Sequence, residues 1–158
     1  MADLILNEAL GRSLTLIQNV EDNSPAAAVL RLHLWVISAT DATLRDVTDG
    51  NVDDFEAITN VAEASNSGYA NQSMDETDIV ITVDDANDRV DVVFSDQTFT
   101  AVVAGDNPTD MTLSYDADGS DTDTTTKVLV VWDFSVTPNG GDIVADFPAT
   151  AAFRVNQG

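Results

Sequence analysis

Apolar and polar residues alternate along much of the chain after residue 26, with the period of two that is typical of β-strands. The clearest alternation lies in Ala27 to Ser38 and Lys127 to Val136. The second segment is the more apolar, which predicts a position at the centre of a sheet. Two further segments, Asp78 to Val83 and Arg89 to Phe94, flank an acidic turn at 84 to 88 and predict a β-hairpin.

Shorter alternating segments complete a count of eight or nine strands. They are centred on Phe99 to Val103, Met111 to Tyr115, Ile143 to Phe147 and Ala151 to Val155. Their regular spacing predicts an all-β fold, mainly an antiparallel, jelly-roll-like β-sandwich, with a closed barrel as the alternative.

Two regions depart from this pattern. Near the N-terminus, Asp3 is a candidate N-cap and Gly11 a candidate helix stop, which predicts a helix over residues 3 to 10 and a helical arm over 1 to 14. Residues 39 to 60 are acidic and predict a loop with a short helix, inserted between strands. At 158 residues the chain predicts a single domain over 1 to 158.

The charge of the chain says more about its function than any sequence motif does. Lys and Arg total 6 and Asp and Glu total 28, so the formal net charge is −22 at pH 7. This balance excludes a basic nucleic-acid-binding surface. At molar salt the Debye length is about 3 Å and screens most of the self-repulsion. The composition therefore predicts a protein of a halophile or of its virus. A multi-calcium binder or a DNA mimic would cluster its acids, whereas here they are spread from Asp3 to Asp146.

Targeting signals and cysteine chemistry are not predicted. The sequence has no cysteine, which excludes disulfides and thiol chemistry. Residues 1 to 20 lack a basic region followed by an apolar run, so no signal peptide is expected. No window approaches the roughly 18 apolar residues of a membrane span, and no membrane partner is expected.

The best candidate for a metal site is the acidic run after residue 115, with Asp116, Asp118, Asp121 and Asp123 as ligands. Its spacing does not fit an EF-hand, and a solvated hairpin tip that holds salt cations weakly is the favoured interpretation. No cofactor is expected beyond such weakly bound cations.

The aromatic and histidine residues give weak signals. His33 is the only histidine, no nucleophile elbow accompanies it, and we expect no enzymatic activity. Trp132 lies between Val130 and Phe134 and is expected in the core. Trp35, on the mixed face of its strand, is expected at the surface or in an interface.

Several stretches occur in the order seen in one family of phage proteins. They are Leu4 to Leu10 followed by Ala27 to Thr40, Gly68-Tyr69-Ala70-Asn71-Gln72, Tyr115-Asp116-Ala117, Val128 to Trp132, Thr137-Pro138-Asn139-Gly140-Gly141-Asp142 and Phe147-Pro148-Ala149. In this order the chain resembles small tailed-phage virion structural proteins, described as tail-fibre-like or head-decoration-like. The segment Asp41 to Asn60 is longer than in the family pattern.

The resemblance implies a structural protein made in the host cytoplasm and carried on the exterior of a virion. We expect a capsid decoration or cement subunit that binds the major capsid protein as a homo-oligomer, such as a trimer. A tail, baseplate or fibre-associated protein is the alternative, and a surface carbohydrate-binding β-module is the second. The expected partner-binding residues are Leu4, Ile5, Leu10 and Trp35.

Overall fold

Antiparallel sheets dominate the part of the chain that the computed structural model describes, which is residues 4 to 6, 9, 11 to 47 and 50 to 156. The strands are β1 (Leu4–Ile5), β2 (Val29–Ile37), β3 (Val61–Glu63), β4 (Gln72–Met74), β5 (Ile79–Asp84), β6 (Arg89–Phe94), β7 (Gln97–Phe99), β8 (Asp110–Asp116), β9 (Lys127–Asp133), β10 (Ile143–Ala145) and β11 (Phe153–Asn156). The helices are α1 (Ser13–Glu21), α2 (Asp41–Arg45) and α3 (Val52–Glu56). The predicted antiparallel all-β class is confirmed.

The largest sheet has six strands in the order β1-β9-β8-β2-β3, and β4 also pairs with β2. Strands β3 and β4 share the outer edge of β2, one at each end of the strand. Every residue of β8 is buried. The central strands are thus β8 and β2, whereas β9, predicted to be central, lies next to the two-residue edge strand β1. Polar residues alternate along β8, which is why its sequence looks less central than that of β9.

The two smaller sheets are β10-β7 and β11-β6-β5, and all their pairs are antiparallel. One hydrophobic core joins the three sheets through side chains such as Leu113, Phe99 and Phe94. The arrangement is sandwich-like, with the predicted hairpin present as β5 and β6. The jelly-roll order of strands stays a prediction.

The N-terminal helix is not where the sequence predicts it. Leu4 and Ile5 form β1 and pair with Val131 and Val130 of β9. The helix α1 begins after Gly11, whose φ of 78° places it in the left-handed region. The three successive apolar residues Leu4, Ile5 and Leu6 lie along the edge of β9. In α1, Ile17 and Val20 are three positions apart and form the buried face of the helix. Asp3 and Leu10 lie outside the described residues.

The segment 39 to 60, for which the sequence predicts a loop with one short helix, contains two short helices, α2 and α3. Thr40 and Asn51 cap α2 and α3 by accepting hydrogen bonds from the backbone N–H groups of Thr43 and Asp54. Phe55 of α3 meets Trp35 edge-on, with ring centroids 5.0 Å apart. This segment therefore covers a face of the six-stranded sheet that would otherwise be exposed.

Candidate interaction surface

Two of the four residues expected to bind a partner, Leu4 and Trp35, are buried in the core. Trp35 is 0% exposed, and its Nε1 donates a hydrogen bond to Thr112 Oγ1 at 2.8 Å. Leu4 is 4% exposed. Both placements correct the expectation, because a buried side chain cannot contact a partner without local unfolding. Ile5 is half-buried, and Leu10 lies outside the described residues.

The structure reverses the environments expected for the two tryptophans. The segment 39 to 60 covers the second face of β2, so β2 is buried on both faces and Trp35 lies in the core. Trp132 lies near the end of β9 and is only half-buried. Alternation within β2 could not reveal this, because it does not show that the segment following β2 folds back over the strand.

The four aspartates of the candidate metal site do not converge. Asp116 is completely buried, and its carboxylate accepts a hydrogen bond from Arg31 Nε at 2.9 Å. It also accepts hydrogen bonds from the backbone N–H groups of Asp118, Gly119 and Asp121. Asp116 therefore fixes the following loop and neutralises Arg31.

Of the other three aspartates, Asp121 also pairs with Arg31, and its Oδ1 lies 3.2 Å from Arg31 Nε. Asp118 accepts a hydrogen bond from the Ser120 N–H, and Asp121 accepts hydrogen bonds from Asn71 Nδ2. Partial desolvation and the nearby Glu63 raise the pKa of Asp123. Within the described ranges, no group of three or more His, Asp or Glu side chains is placed to hold a metal ion.

His33 belongs to a buried network that sequence reasoning did not foresee. Its Nδ1 lies 3.1 Å from Glu63 Oε1, which also accepts a hydrogen bond from the Tyr69 hydroxyl at 2.6 Å. The Tyr69 oxygen accepts a hydrogen bond from the Leu34 N–H, and burial, followed by Glu63, raises the pKa of Tyr69. This network ties β3 and the Tyr69 loop to β2. Because His33 is 1% exposed, no substrate reaches it in this conformation.

A row of apolar side chains that extends from the core to the exposed surface is the best candidate for an interaction surface. Along β5, exposure rises from 3% at Ile79 to 66% at Val83, and along β11 it rises from 9% at Phe153 to 38% at Val155. Val90 of β6 pairs with both valines. Val83, Val90 and Val155, here named the valine row, thus form one continuous line across three strands beyond the covered part of the sheet.

The sheet that carries the valine row has no net charge. Its strands contain two acids, Asp84 and Asp91, and two cations, Arg89 and Arg154. Arg89 pairs with Asp84 at 3.0 Å and with Asp91 at 3.1 Å, and Arg154 pairs with Asp91. In a chain of net charge −22 this neutral sheet is unusual.

A groove of about 400 Å³ adjoins the valine row. Ile5, Leu14 and Phe153 line its apolar part, together with Val155 of the row. Arg154 also lines it, and Arg12, between two lining residues, is exposed. The groove thus combines apolar walls with one cationic residue, Arg154, which is paired with Asp91. The sequence feature that indicates this surface is the equal number of acidic and basic residues over the two hairpin strands and β11 taken together.

Comparison with known proteins gives no relative for this chain. No protein-family model, no curated protein and no solved structure matches it. Among the helices of the described residues, none has the length and apolar character needed to cross a membrane.

Proposed function

We propose that this protein is a structural subunit on the outside of a tailed-virus head, a capsid decoration or cement protein that works in high salt. The observation that carries the proposal is the valine row on a neutral sheet, within a strongly acidic β-domain. Exposed apolar rows of this kind mark protein-binding surfaces. The order of sequence elements that resembles phage virion proteins supports the same function.

The charges around the valine row favour an acidic protein partner. Two acidic proteins repel each other over most of their surfaces, even though salt shortens the range of the repulsion. The balanced charges of its strands reduce this repulsion at the neutral sheet, although the turn between β5 and β6 adds Asp85 and Asp88. The exposed Arg12 attracts carboxylates of the partner. We assign the major capsid protein as this partner.

The mechanism of such a subunit is stabilisation by binding. A protein that binds only the assembled shell shifts the equilibrium toward the closed particle, by an amount set by its concentration relative to its dissociation constant. Burial of the valine row contributes about 25 cal/mol for each Å² of apolar surface removed from water. A homo-oligomer, such as a trimer, presents several such rows to one shell.

The valine row can be tested by introducing charge. We expect the double variant Val83→Asp/Val155→Asp to bind virus shells at least about tenfold more weakly, a loss of about 1.4 kcal/mol, because it places carboxylates in the apolar contact. Co-sedimentation with purified shells lacking the protein, in molar salt, measures this affinity. Since both valines are exposed, the folded state should retain its circular dichroism spectrum.

The matched control is Val144→Asp, together with Val103→Asp. These valines are 51% and 46% exposed and lie outside the neutral sheet. The control adds the same charge, so unchanged binding separates a local contact from a general charge effect. Equal loss in both double variants would contradict the assignment. Deletion of residues 1 to 12 is a poorer test, because it removes β1 and uncovers β9.

Copy number separates the proposed function from its first alternative. A decoration protein is present in hundreds of copies per particle, whereas a tail, baseplate or fibre protein is present in a handful. Quantitative mass spectrometry of purified particles gives this number directly, and a handful of copies would contradict the head assignment.

A further inference from the structure

An aromatic cleft of about 240 Å³ lies at the end of β9, separate from the valine row. Met111 and Ala145 form its floor and are buried, whereas the aromatic side chains are half-buried. Trp132, Phe134 and Phe147 form its aromatic walls. The volume is below the roughly 300 Å³ of the smallest typical small-molecule pockets. The cleft therefore suits one side chain rather than a large ligand.

The aromatic walls of the cleft are held in place by their neighbours. The rings of Trp132 and Phe147 meet at 62° with centroids 5.6 Å apart. Phe147 in turn meets Phe94 of the core at 72° and 5.4 Å. Edge-to-face contacts of this kind fix ring orientation. The cleft is thus preformed, and a ligand would not have to order it.

Two charged residues lie at the cleft, and both are acidic and exposed. Asp133 alternates with Trp132 along β9 and faces Asp110 of β8 on the other side of the sheet, so Asp146 is the carboxylate that a ligand in the cleft would meet. A cleft with charges of one sign and apolar walls concentrates the electrostatic field and favours an ion of opposite sign. Ionised carboxylates only accept hydrogen bonds, so a complementary ligand must donate them. Sugar hydroxyls need acceptors and donors, which makes a sugar the weaker fit.

We propose that this cleft binds the guanidinium group of an arginine side chain carried by a protein partner. A guanidinium has five N–H donors and no acceptor, and it stacks on aromatic rings through cation–π contact. It is also less strongly hydrated than the ammonium group of lysine, so it enters an apolar cleft more readily. Charge complementarity with Asp146 thus selects arginine from among the side chains that fit the volume.

Binding of a small probe tests this inference without virus particles. In molar salt we expect N-acetyl-L-arginine amide to bind with a dissociation constant in the millimolar range and to change the fluorescence of Trp132. N-acetyl-L-citrulline amide, which has nearly the same shape but no charge, should bind at least about tenfold more weakly, equivalent to about 1.4 kcal/mol. Trp35→Phe removes the other tryptophan signal, and calorimetry on the unaltered protein gives the same constants if that variant does not fold.

A matched pair of variants locates the probe. We expect Asp146→Asn to weaken arginine amide binding several-fold, whereas Asp85→Asn, at an exposed position of the hairpin turn, should leave it unchanged. Both variants remove one negative charge. Equal weakening by the two variants, equal binding of citrulline amide, or absence of saturation would each overturn the inference. Preferential binding of a methyl glycoside would replace it with a sugar site. None of these results affects the valine-row test, which measures shell binding.

Discussion

Transfer from molar salt to dilute buffer is expected to unfold this protein or to dissociate the proposed homo-oligomer. The net charge is −22, and the Debye length increases from about 3 Å at 1 M to about 30 Å at 0.01 M salt. Repulsion among the carboxylates then acts across the whole domain. Since native proteins are stable by only about 5–15 kcal/mol, a loss of several kcal/mol removes most of the folded population. Circular dichroism and size-exclusion chromatography during stepwise dialysis measure the two outcomes.

The structure identifies one place where this repulsion is concentrated. Asp110 and Asp133 lie directly opposite each other on β8 and β9, an arrangement that destabilises a sheet when both are charged. Asp110 is 2% exposed, and burial, followed among the raising causes by Asp133, raises its pKa. Its contribution to stability therefore falls as the pH rises above the unfolded-state value of about 3.9.

Neutralising that pair provides the control for the salt experiment. Asp110→Asn removes the charge but keeps an oxygen that accepts the Thr109 hydroxyl hydrogen bond. We expect this variant to remain folded at lower salt than the unaltered protein. Asp85→Asn removes an exposed charge instead and should shift the salt requirement less. A circular dichroism spectrum and elution volume that do not change in dilute buffer would contradict the high-salt interpretation.

Much of the sheet structure follows from local sequence. The hairpin of β5 and β6, and strands β2, β8 and β9, have period-two alternation bounded by turn residues, and the structure forms them there. The N-terminus was mispredicted because Leu4 and Ile5 belong to a short apolar run that fits a helix as well as a strand. Its pairing with β9, remote in sequence, decides between the two.

The candidate surface could not be derived in the same way. Alternation shows that Ile79 and Val83 share one face of β5, but not that the core ends between them. How far the hairpin extends beyond the elements that cover it depends on tertiary packing, which the local sequence does not show. For the same reason Trp35, covered by α3, could not be distinguished from the half-buried Trp132.

The acidic loop shows how residue type can suggest a metal site where the structure has an ion pair. Asp116 faces Arg31, and these residues are 85 positions apart in the chain. Only the register of β2 against β8, which pairs Val29 with Asp116, brings them together. The loop that Asp116 fixes brings Asp121 back to Arg31, whereas Asp118 accepts a hydrogen bond from the Ser120 N–H.

Replacement of Asp116 by Ala is expected to destabilise the protein by about 1–3 kcal/mol, the cost of leaving buried hydrogen-bonding groups without their partner. Arg31, whose side chain is 10% exposed, loses its hydrogen bond to Asp116 but keeps an ion pair with Asp121 at 3.2 Å. The backbone N–H groups of Asp118, Gly119 and Asp121 also lose their acceptor. Urea unfolding at constant molar salt measures the change. The control, Asp118→Ala, removes an exposed acceptor of one hydrogen bond and should cost about 1 kcal/mol or less.

The same carboxylate predicts how stability depends on acid. Burial alone would raise the pKa of Asp116, but hydrogen bonds from the Asp121 N–H and from Arg31 outweigh it and hold the pKa below its ordinary value. Because the folded-state pKa lies below the unfolded-state value of about 3.9, this contribution is complete above that pH and is lost as the pH falls through the folded-state pKa. Below about pH 4, the unaltered protein should therefore lose more stability than Asp116→Ala does. Parallel losses in the two proteins would show that Asp116 does not carry this pH dependence.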